Sequence, residues 1–471
     1  MEEISKQGNP LGTERVGKLM VRFAIPSIIG MLVSALYNMV DQLFIGQKVG
    51  TLGNTATSIA FPLTTACMSI ALLFGIGGAS CYNLAMGMGD KKRSGYYVGN
   101  AITMLTGLGI ILSLITIIFL EPLLTLFAAT KEVMPYAKDY VGVTAIGFPF
   151  LILTTGGGHL IRADGSPKIT MLCNITGAVL NIVLDAVFVL GLDWGMKGAA
   201  WATVIGQIVS TLIVIWYMRR FKTTELERKH FKPVFEHTKR VAMVGMASFF
   251  NQIAIGVVQI VLNNSLKYYG ARSEYGAADP IACAGIVMKV NMIVFSIVIG
   301  LAQGTQPIES FNYGARNFSR VKKAYRLAII VGGGISILAF IMFQTMPRQI
   351  LALFANKNAS DGYYEFGAKF FRITMFFTWL NCIQPISSTF FTSIGKSIKG
   401  VFLSLTRQII FFIPILLILP KFYGINGILY TGPIADILSS IVAVLMILVE
   451  FRAMSMMQEL DRQSSGQAHL R

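Results

Sequence analysis

The sequence predicts an all-α integral membrane protein: twelve transmembrane helices in two pseudo-symmetric six-helix lobes around a central cleft. Three observations carry that prediction. Long apolar runs are separated by short charged stretches, the positive charge falls mainly in alternate loops, and several loop motifs recur in the second half of the chain. Of the 471 residues, 54% are hydrophobic and 13% charged, against about 25% charged in a typical soluble domain. The runs are roughly 20–30 residues long, enough to cross a hydrocarbon core about 30 Å thick as helices.

The predicted spans are 18–46, 55–87, 96–120, 133–156, 168–191, 198–219, 241–268, 280–312, 325–346, 365–391, 400–420 and 428–451. Twelve crossings put both termini on one side. Taking that side as cytoplasmic places most of the 40 Lys and Arg residues in inner segments, including Lys91-Lys92-Arg93, Arg219 to Arg240 and Arg316 to Arg326. Positive charge resists translocation, so both ends are expected inside. The formal net charge of +17 is read as this orientation signal and not as a nucleic-acid footprint. The segment 220–240 is expected to be a basic cytoplasmic linker, solvated against anionic headgroups. It separates an N-terminal lobe (18–219) from a C-terminal lobe (241–451), with a cytoplasmic tail at 452–471. Glu2, Glu3 and the polar stretch up to Leu19 do not form a cleavable signal peptide. The expected location is a bacterial plasma membrane.

The second half repeats the first. Gly75-Ile76-Gly77-Gly78-Ala79-Ser80 followed by Met88-Gly89-Asp90 matches Gly300-Leu301-Ala302-Gln303-Gly304-Thr305 followed by Tyr313-Gly314-Ala315. Trp194-Gly195-Met196-Lys197-Gly198 before Trp201 matches Tyr423-Gly424-Ile425-Asn426-Gly427 before Tyr430, and Ala137-Lys138 matches Ala368-Lys369. The three matches share a nearly constant offset of about 230 residues, as a true repeat requires. Six crossings per repeat give both halves the same orientation, related by an axis along the membrane normal, an arrangement that encloses a central cavity in secondary transporters.

Within the spans, ionisable residues are the functional candidates, since a charge at the bilayer centre costs at least about 2.5–3.5 kcal/mol. Asp41 shares a polar stripe with Ser34, Tyr37 and Asn38, and Asp185 shares a face with Asn174 and Asn181. Thr203 and Gln207 form a further polar pair one turn apart. Two carboxyls in one low-dielectric pocket hold protons more tightly than in water. Such a pair can load and release a proton, and Asn181 and Thr203 supply oxygens that could instead complete a sodium shell. The repeat positions in the second half lack these acids. It offers a polar span 7 (Asn251, Gln252, Gln259, Asn263, Asn264), with Lys289, Gln303, Glu309, Arg407 and Asp436 elsewhere. For Glu309 a rim salt bridge and a substrate contact are both open, and Lys289, Arg407 and Asp436 either pair internally or line the cavity. Tyr37, Asn38, Gln252, Gln259, Lys289, Gln303 and Glu309 are the candidate substrate-cleft residues. Pro26 removes a backbone hydrogen bond early in span 1 and is a candidate hinge. The five cysteines and four histidines show no disulfide or metal spacing. Gly156 to Gly158 and Gly332 to Gly334 precede no GK[ST] and read as helix-packing surfaces. No catalytic constellation is present, so an enzyme is not expected and no cofactor beyond a coupling ion is implied.

Ala35-Leu36-Tyr37-Asn38-Met39-Val40-Asp41 with Phe44-Ile45-Gly46, Arg162-Ala163-Asp164-Gly165-Ser166-Pro167-Lys168, Asn181 to Asp185, and Tyr313-Gly314-Ala315 together resemble the MATE (multidrug and toxic compound extrusion) family, in its MepA-like and DinF-like bacterial branch. The likeness covers residues 12–455. It implies a cation-coupled antiporter, H⁺ before Na⁺, that exports amphipathic and often cationic compounds through a cleft between two lobes, as a monomer in the bilayer. Asp41, Asn181, Asp185 and Thr203, with Tyr140, match the first-lobe cation site of this branch. A second-lobe sodium site is not implied, since span 7 has no carboxylate and Glu365 stands only at the outer start of span 10. The alternatives are a lipid-linked precursor flippase, which would need several cations on the cleft wall, and a membrane sensor or channel.

Overall fold

The computed structural model describes residues 9–127, 129–274, 278–352 and 361–468. The N-terminal acids Glu2 and Glu3 and the end of the tail, residues 469–471, lie outside them. Eleven crossings are continuous or nearly so: α1 Val16–Lys48, α2 Thr51–Gly87, α3 Lys91–Ile118, α4 Met134–Ala163, α5 Pro167–Asp185, α6 Gly195–Met218, α7 Phe235–Gly270, α8 Ala278–Gly314, α9 Phe318–Thr345, α11 from Ser397 to Tyr423, and α12 Ile425–Ala468. The tenth, α10, is broken. Asp361–Thr374 and Ile383–Ser393 are separate helices joined through a short 3-10 turn, Thr378–Leu380. Pro385 sits in the first turn of the second piece. There its missing N–H removes no bond, whereas in a continuous helix it would leave the Asn381 carbonyl unpaired.

Two further crossings contain π-helical turns. Ala186–Gly191 continues α5 directly after Asp185, and Thr406–Phe412 lies within α11. Pro414 follows the second of these, where the wider turn accommodates a residue that cannot donate. Several helices also outrun their predicted spans. α4 continues to Ala163, α7 begins at Phe235 and α12 reaches Ala468. Hydropathy ends where charges begin, whereas the backbone ladder carries on past them.

The repeat is visible in the turns as well as in the residues. Gly165 and Gly395 both have positive φ (82° and 74°), and each turn closes the same way. Ser166 N–H donates to the Ile161 carbonyl at 3.2 Å, and Lys396 N–H to the Phe391 carbonyl at 2.9 Å. This is the six-to-one closure that ends a helix on a left-handed glycine. Gly195 and Gly424, in the recurring aromatic-glycine motif, pair similarly at φ 53° and 58°.

One buried apolar cluster runs from Ile45 to Val244, through α2 to α6 and the start of α7. Two others occupy the second half, and one of them includes Leu19, Phe23 and Ala24 of α1. Outward faces are apolar and exposed, as with Ile111, Leu114 and Ile118 on α3 and Ile330, Leu338 and Ile341 on α9. Such faces meet lipid tails, leaving polar groups to pair inside.

The basic linker differs from a loose solvated strand. Its charged side chains are largely exposed, but its backbone is fastened to the first lobe. Buried Asp164 accepts hydrogen bonds from Tyr217 Oη (2.7 Å), Lys222 N (2.7 Å), Thr223 N (3.1 Å) and Tyr82 Oη (3.2 Å), and from the Thr223 hydroxyl. Asn100 spans the other end, donating to the His230 carbonyl at 2.9 Å and accepting from Val234 N at 2.7 Å. Glu227 N–H donates to His230 Nδ1 at 3.1 Å, which requires an unprotonated ring nitrogen, and burial holds this imidazole below its ordinary pKa.

Glycines set how closely the lobes meet. Along the end of the molecule that carries the linker, Gly77 faces the Val241 carbonyl, Gly245 faces that of Leu73, Gly87 that of Phe311, and Gly314 that of Leu84. A Cβ on Gly304 would lie 2.5 Å from Ala24 Cα, and one on Gly300 2.6 Å from Ile28 Cα. These contacts are backbone to backbone, so no side chain can swing away. Beyond the seam, Asn38, Asn263, Asn264 and Lys289 are exposed. Gly245→Val is expected to disfavour the closed seam. Overpacking costs about 1–3 kcal/mol, which shifts the equilibrium roughly five- to hundred-fold. Spin labels at Met88 and Arg316, exposed on either side of the seam, should report a longer distance population, and an unchanged distribution would refute the contact's role.

Candidate functional site

α1 brings Asp41 to the first-lobe interior because it changes partners along its length. Its early residues lie on α8, through Ala24 and Ile28, while Gly30 lies against Asn174 of α5. Pro26 is buried immediately before this change of partner, and Ser27 Oγ donates to the Phe23 carbonyl at 2.8 Å. Beyond it, Ser34 and Asn38 turn their polar groups back onto their own helix, to the Gly30 carbonyl at 3.0 Å and the Ser34 carbonyl at 2.7 Å.

The carboxyl groups of Asp41 and Asp185 lie against each other. Asp185 is fully buried and Asp41 is 8% exposed. Asn181, one turn before Asp185, completes the arrangement. With its amide oriented to satisfy both neighbours, it donates to Asp185 Oδ2 at 3.3 Å and accepts from Thr203 Oγ1 at 3.2 Å. The phenols of Tyr37 and Tyr140 stand beside both acids. One oxygen of each carboxyl, Oδ1 of Asp41 and Oδ1 of Asp185, is buried with no hydrogen-bond partner. Among the described residues, no Lys, Arg or His forms an ion pair with either acid. The π-helical turn begins at the residue after Asp185, which frees the carbonyl pattern beside the pair.

The structure thus brings together Asp41, Asn181, Asp185, Thr203, Tyr37 and Tyr140. Other candidates fall elsewhere. Lys289 and Asn38 are exposed, while Gln252 and Gln259 are half-buried, with Gln259 Nε2 donating to Asn263 Oδ1 at 3.0 Å. Gln303 and Glu309 are both buried. They are 8% and 1% exposed, on the part of α8 that forms the closed seam. Glu309 makes no rim salt bridge, because it faces into the lobe and not toward the surface. Arg407 and Asp436 are paired internally. Arg407 Nε donates to Asp436 Oδ1 at 2.7 Å, and the Asn381 amide can donate to Asp436 Oδ1 and Oδ2 at 3.1 and 2.9 Å. Asn381, at the break of α10, is a residue that sequence reasoning missed. Pro385 four residues later was the available signal for it. In the sequence Asp164 belongs to a turn motif, and nothing local shows that it gathers five donors.

Two six-helix lobes with a pair of buried acids in one of them define a class: a multi-pass membrane transporter. The chain belongs to the MatE family, whose profile matches residues 26–187 and 242–418. It is 27% identical over 433 residues to the multidrug export protein MepA of Staphylococcus saprophyticus, covering 92% of this chain and 93% of that one. The MepA protein of Staphylococcus aureus is similar to the same degree, again 27% over 433 residues with 92% and 93% covered. Among solved structures, a MOP superfamily transporter from Pyrococcus furiosus has a similar fold, with a TM-score of 0.88 at 23% identity over 95% of this chain and 99% of that one. An outward-facing multidrug resistance MATE transporter likewise gives a TM-score of 0.88 at 23% identity, covering 95% and 98%.

Proposed function

We propose that the chain is a cation-coupled antiporter that exports amphipathic, mainly cationic organic compounds across a bacterial plasma membrane. The observation that carries this reading is the contact of Asp41 with Asp185 in a buried pocket that holds no protein cation. Two adjoining carboxyls cannot both be ionised there without a cation between them. An exchangeable proton is the simplest occupant. The names of the relatives, export proteins for multiple drugs, support the cargo class. Loading the pair favours the state with weaker cargo affinity, which is all that coupling requires.

In this reading the closed seam and both termini face the cytoplasm, and the cleft faces outward. The lobes 18–219 and 241–451 rock against each other with the fastened linker 220–240 between them, and α1 flexes at Pro26. Tyr37, Asn38, Gln252, Gln259, Lys289 and Gln303 meet the cargo during the cycle. The flippase alternative is weakened because Arg407 is tied to Asp436, leaving only Lys289 of the two cations it rested on. The test is export of an ethidium-type cation from proteoliposomes under an imposed pH gradient, with a sodium gradient as the second arm. Transport driven by sodium alone would replace the proton, and no gradient-driven transport of any organic cation would overturn the reading.

A further inference from the structure

Glu309 is the buried acid that the proposed coupling pair leaves unused. It is 1% exposed, neither carboxyl oxygen has a hydrogen-bond partner, and no Lys, Arg or His among the described residues forms an ion pair with it. The polar groups around it have their protons committed elsewhere. Ser393, the side chain beside it, donates its hydroxyl to the Thr389 carbonyl at 2.8 Å. Tyr325 of α9 lies within electrostatic reach but shares its hydroxyl with Ser387 Oγ at 2.8 Å. Ser387 in turn donates to the Ile383 carbonyl at 2.6 Å, so Tyr325 is the donor of that bond.

What faces Glu309 is therefore a set of oxygen lone pairs. An ionised carboxylate meeting only lone pairs in a buried pocket is far costlier than a neutral acid. A neutral carboxyl carries no charge to be answered, and Ser393 is the polar side chain beside it.

None of the charged groups on the surrounding elements, among the described residues, forms an ion pair with Glu309. Lys396 and Lys399 pair with buried Glu450 of α12, the latter at 2.8 Å. Arg240 of α7 reaches toward Gly395. Arg320 of α9 donates to the Leu11 and Glu14 carbonyls at 3.0 and 2.6 Å, and Glu14 meets Lys18 and Arg22 of α1 at 3.5 Å each. The residues that α1 and α2 turn toward α8 are uncharged: Ala24, Ile28, Ile76, Ser80 and Leu84.

Glu309 faces into the second lobe, but the stretch of α8 that carries it borders the seam on its other side. Three residues before it, Gln306 Nε2 donates to Ser80 Oγ of α2 at 2.7 Å, and just after it Phe311 and Gly314 abut Gly87 and Leu84. We propose that Glu309 is a second proton-binding site. It holds a proton as a neutral acid while packed against α9 and α10, and releases it to water when the rocking of the lobes opens that packing. The O–H bond breaks, the proton passes to solvent and the carboxylate remains, so no other reactant is needed. The release step rests on the rocking motion proposed above, whereas the neutral acid rests on the geometry alone.

The first arm of the test needs no cargo. The infrared spectrum of the purified protein should contain a buried carboxylic-acid carbonyl band that is absent from E309Q. In S393A the acid remains but loses its polar neighbour, so the band should move; this variant serves if E309Q fails to assemble. Identical spectra for wild type, E309Q and S393A would overturn the proposal, whatever the protein transports. The second arm measures proton stoichiometry in proteoliposomes. E309Q should lose one proton per cycle, seen as an approximately tenfold smaller cargo gradient per pH unit. An unchanged stoichiometry alongside a lost infrared band would overturn the release step.

Discussion

Asp41→Asn and Asp185→Asn are each expected to abolish gradient-driven accumulation of cargo while leaving the protein folded. Asparagine keeps the shape and hydrogen-bonding capacity of aspartate but cannot bind a proton in exchange. One pH unit acting on one exchanged proton supports about a tenfold cargo gradient, since it is worth about 1.4 kcal/mol. In either variant that ratio should collapse toward one, because the remaining carboxyl no longer has a partner whose charge it must answer. Equilibrium binding of cargo should survive in detergent, which separates loss of coupling from loss of fold. Full accumulation by both variants would remove the pair from the mechanism. The acids are held unequally: Asp185 is reached by Asn181, whereas the protein supplies Asp41 with less support.

The second large effect concerns stability. Arg407→Met leaves Asp436, 3% exposed, without its counter-charge. Removing one partner of a buried ion pair costs about 3–5 kcal/mol, while replacing both by apolar residues of similar size is often neutral. Arg407→Met alone should therefore lower the thermal unfolding midpoint in micelles strongly, and the double variant with Asp436→Leu should recover most of the loss. A double variant as unstable as the single one would show that the pair matters for something other than charge balance. Arg407 also lies 5.9 Å from the Phe295 ring of α8, so its removal loosens packing as well.

Asp41 and Asp185 were legible in the sequence because a lone acid in an apolar run has no inexpensive explanation, and helical spacing gave each a polar face. That they touch was not legible, since it depends on how α1 and α5 cross. The repeat was readable from its turn glycines, where only residues that tolerate positive φ recur. The break in α10 escaped because Met375 to Cys382 contains neither Gly nor Pro nor a charge; its cause, Pro385, lies beyond the break. Glu309 shows the limit most clearly. Its position near a helix end suggested a rim or a cleft, and only packing against Ser393 and Tyr325 shows it to be sealed from both. The basic linker misled in another way, since its charges are solvated as composition suggests while Asp164 and Asn100 fasten its backbone from distant helices.

The change of partner along α1 has a consequence for how the protein is made. Residues around Leu19 to Ala24 belong to a cluster completed by α8, α9 and the later crossings. During synthesis the first lobe can close around Asp41 and Asp185 once α6 has entered the bilayer, yet the opening segment of the chain has no surface to rest on until α8 arrives. Up to that point its apolar side chains face lipid or the insertion machinery. The first helix to be translated is thus among the last to finish assembling, and the two lobes become one molecule through that delayed docking.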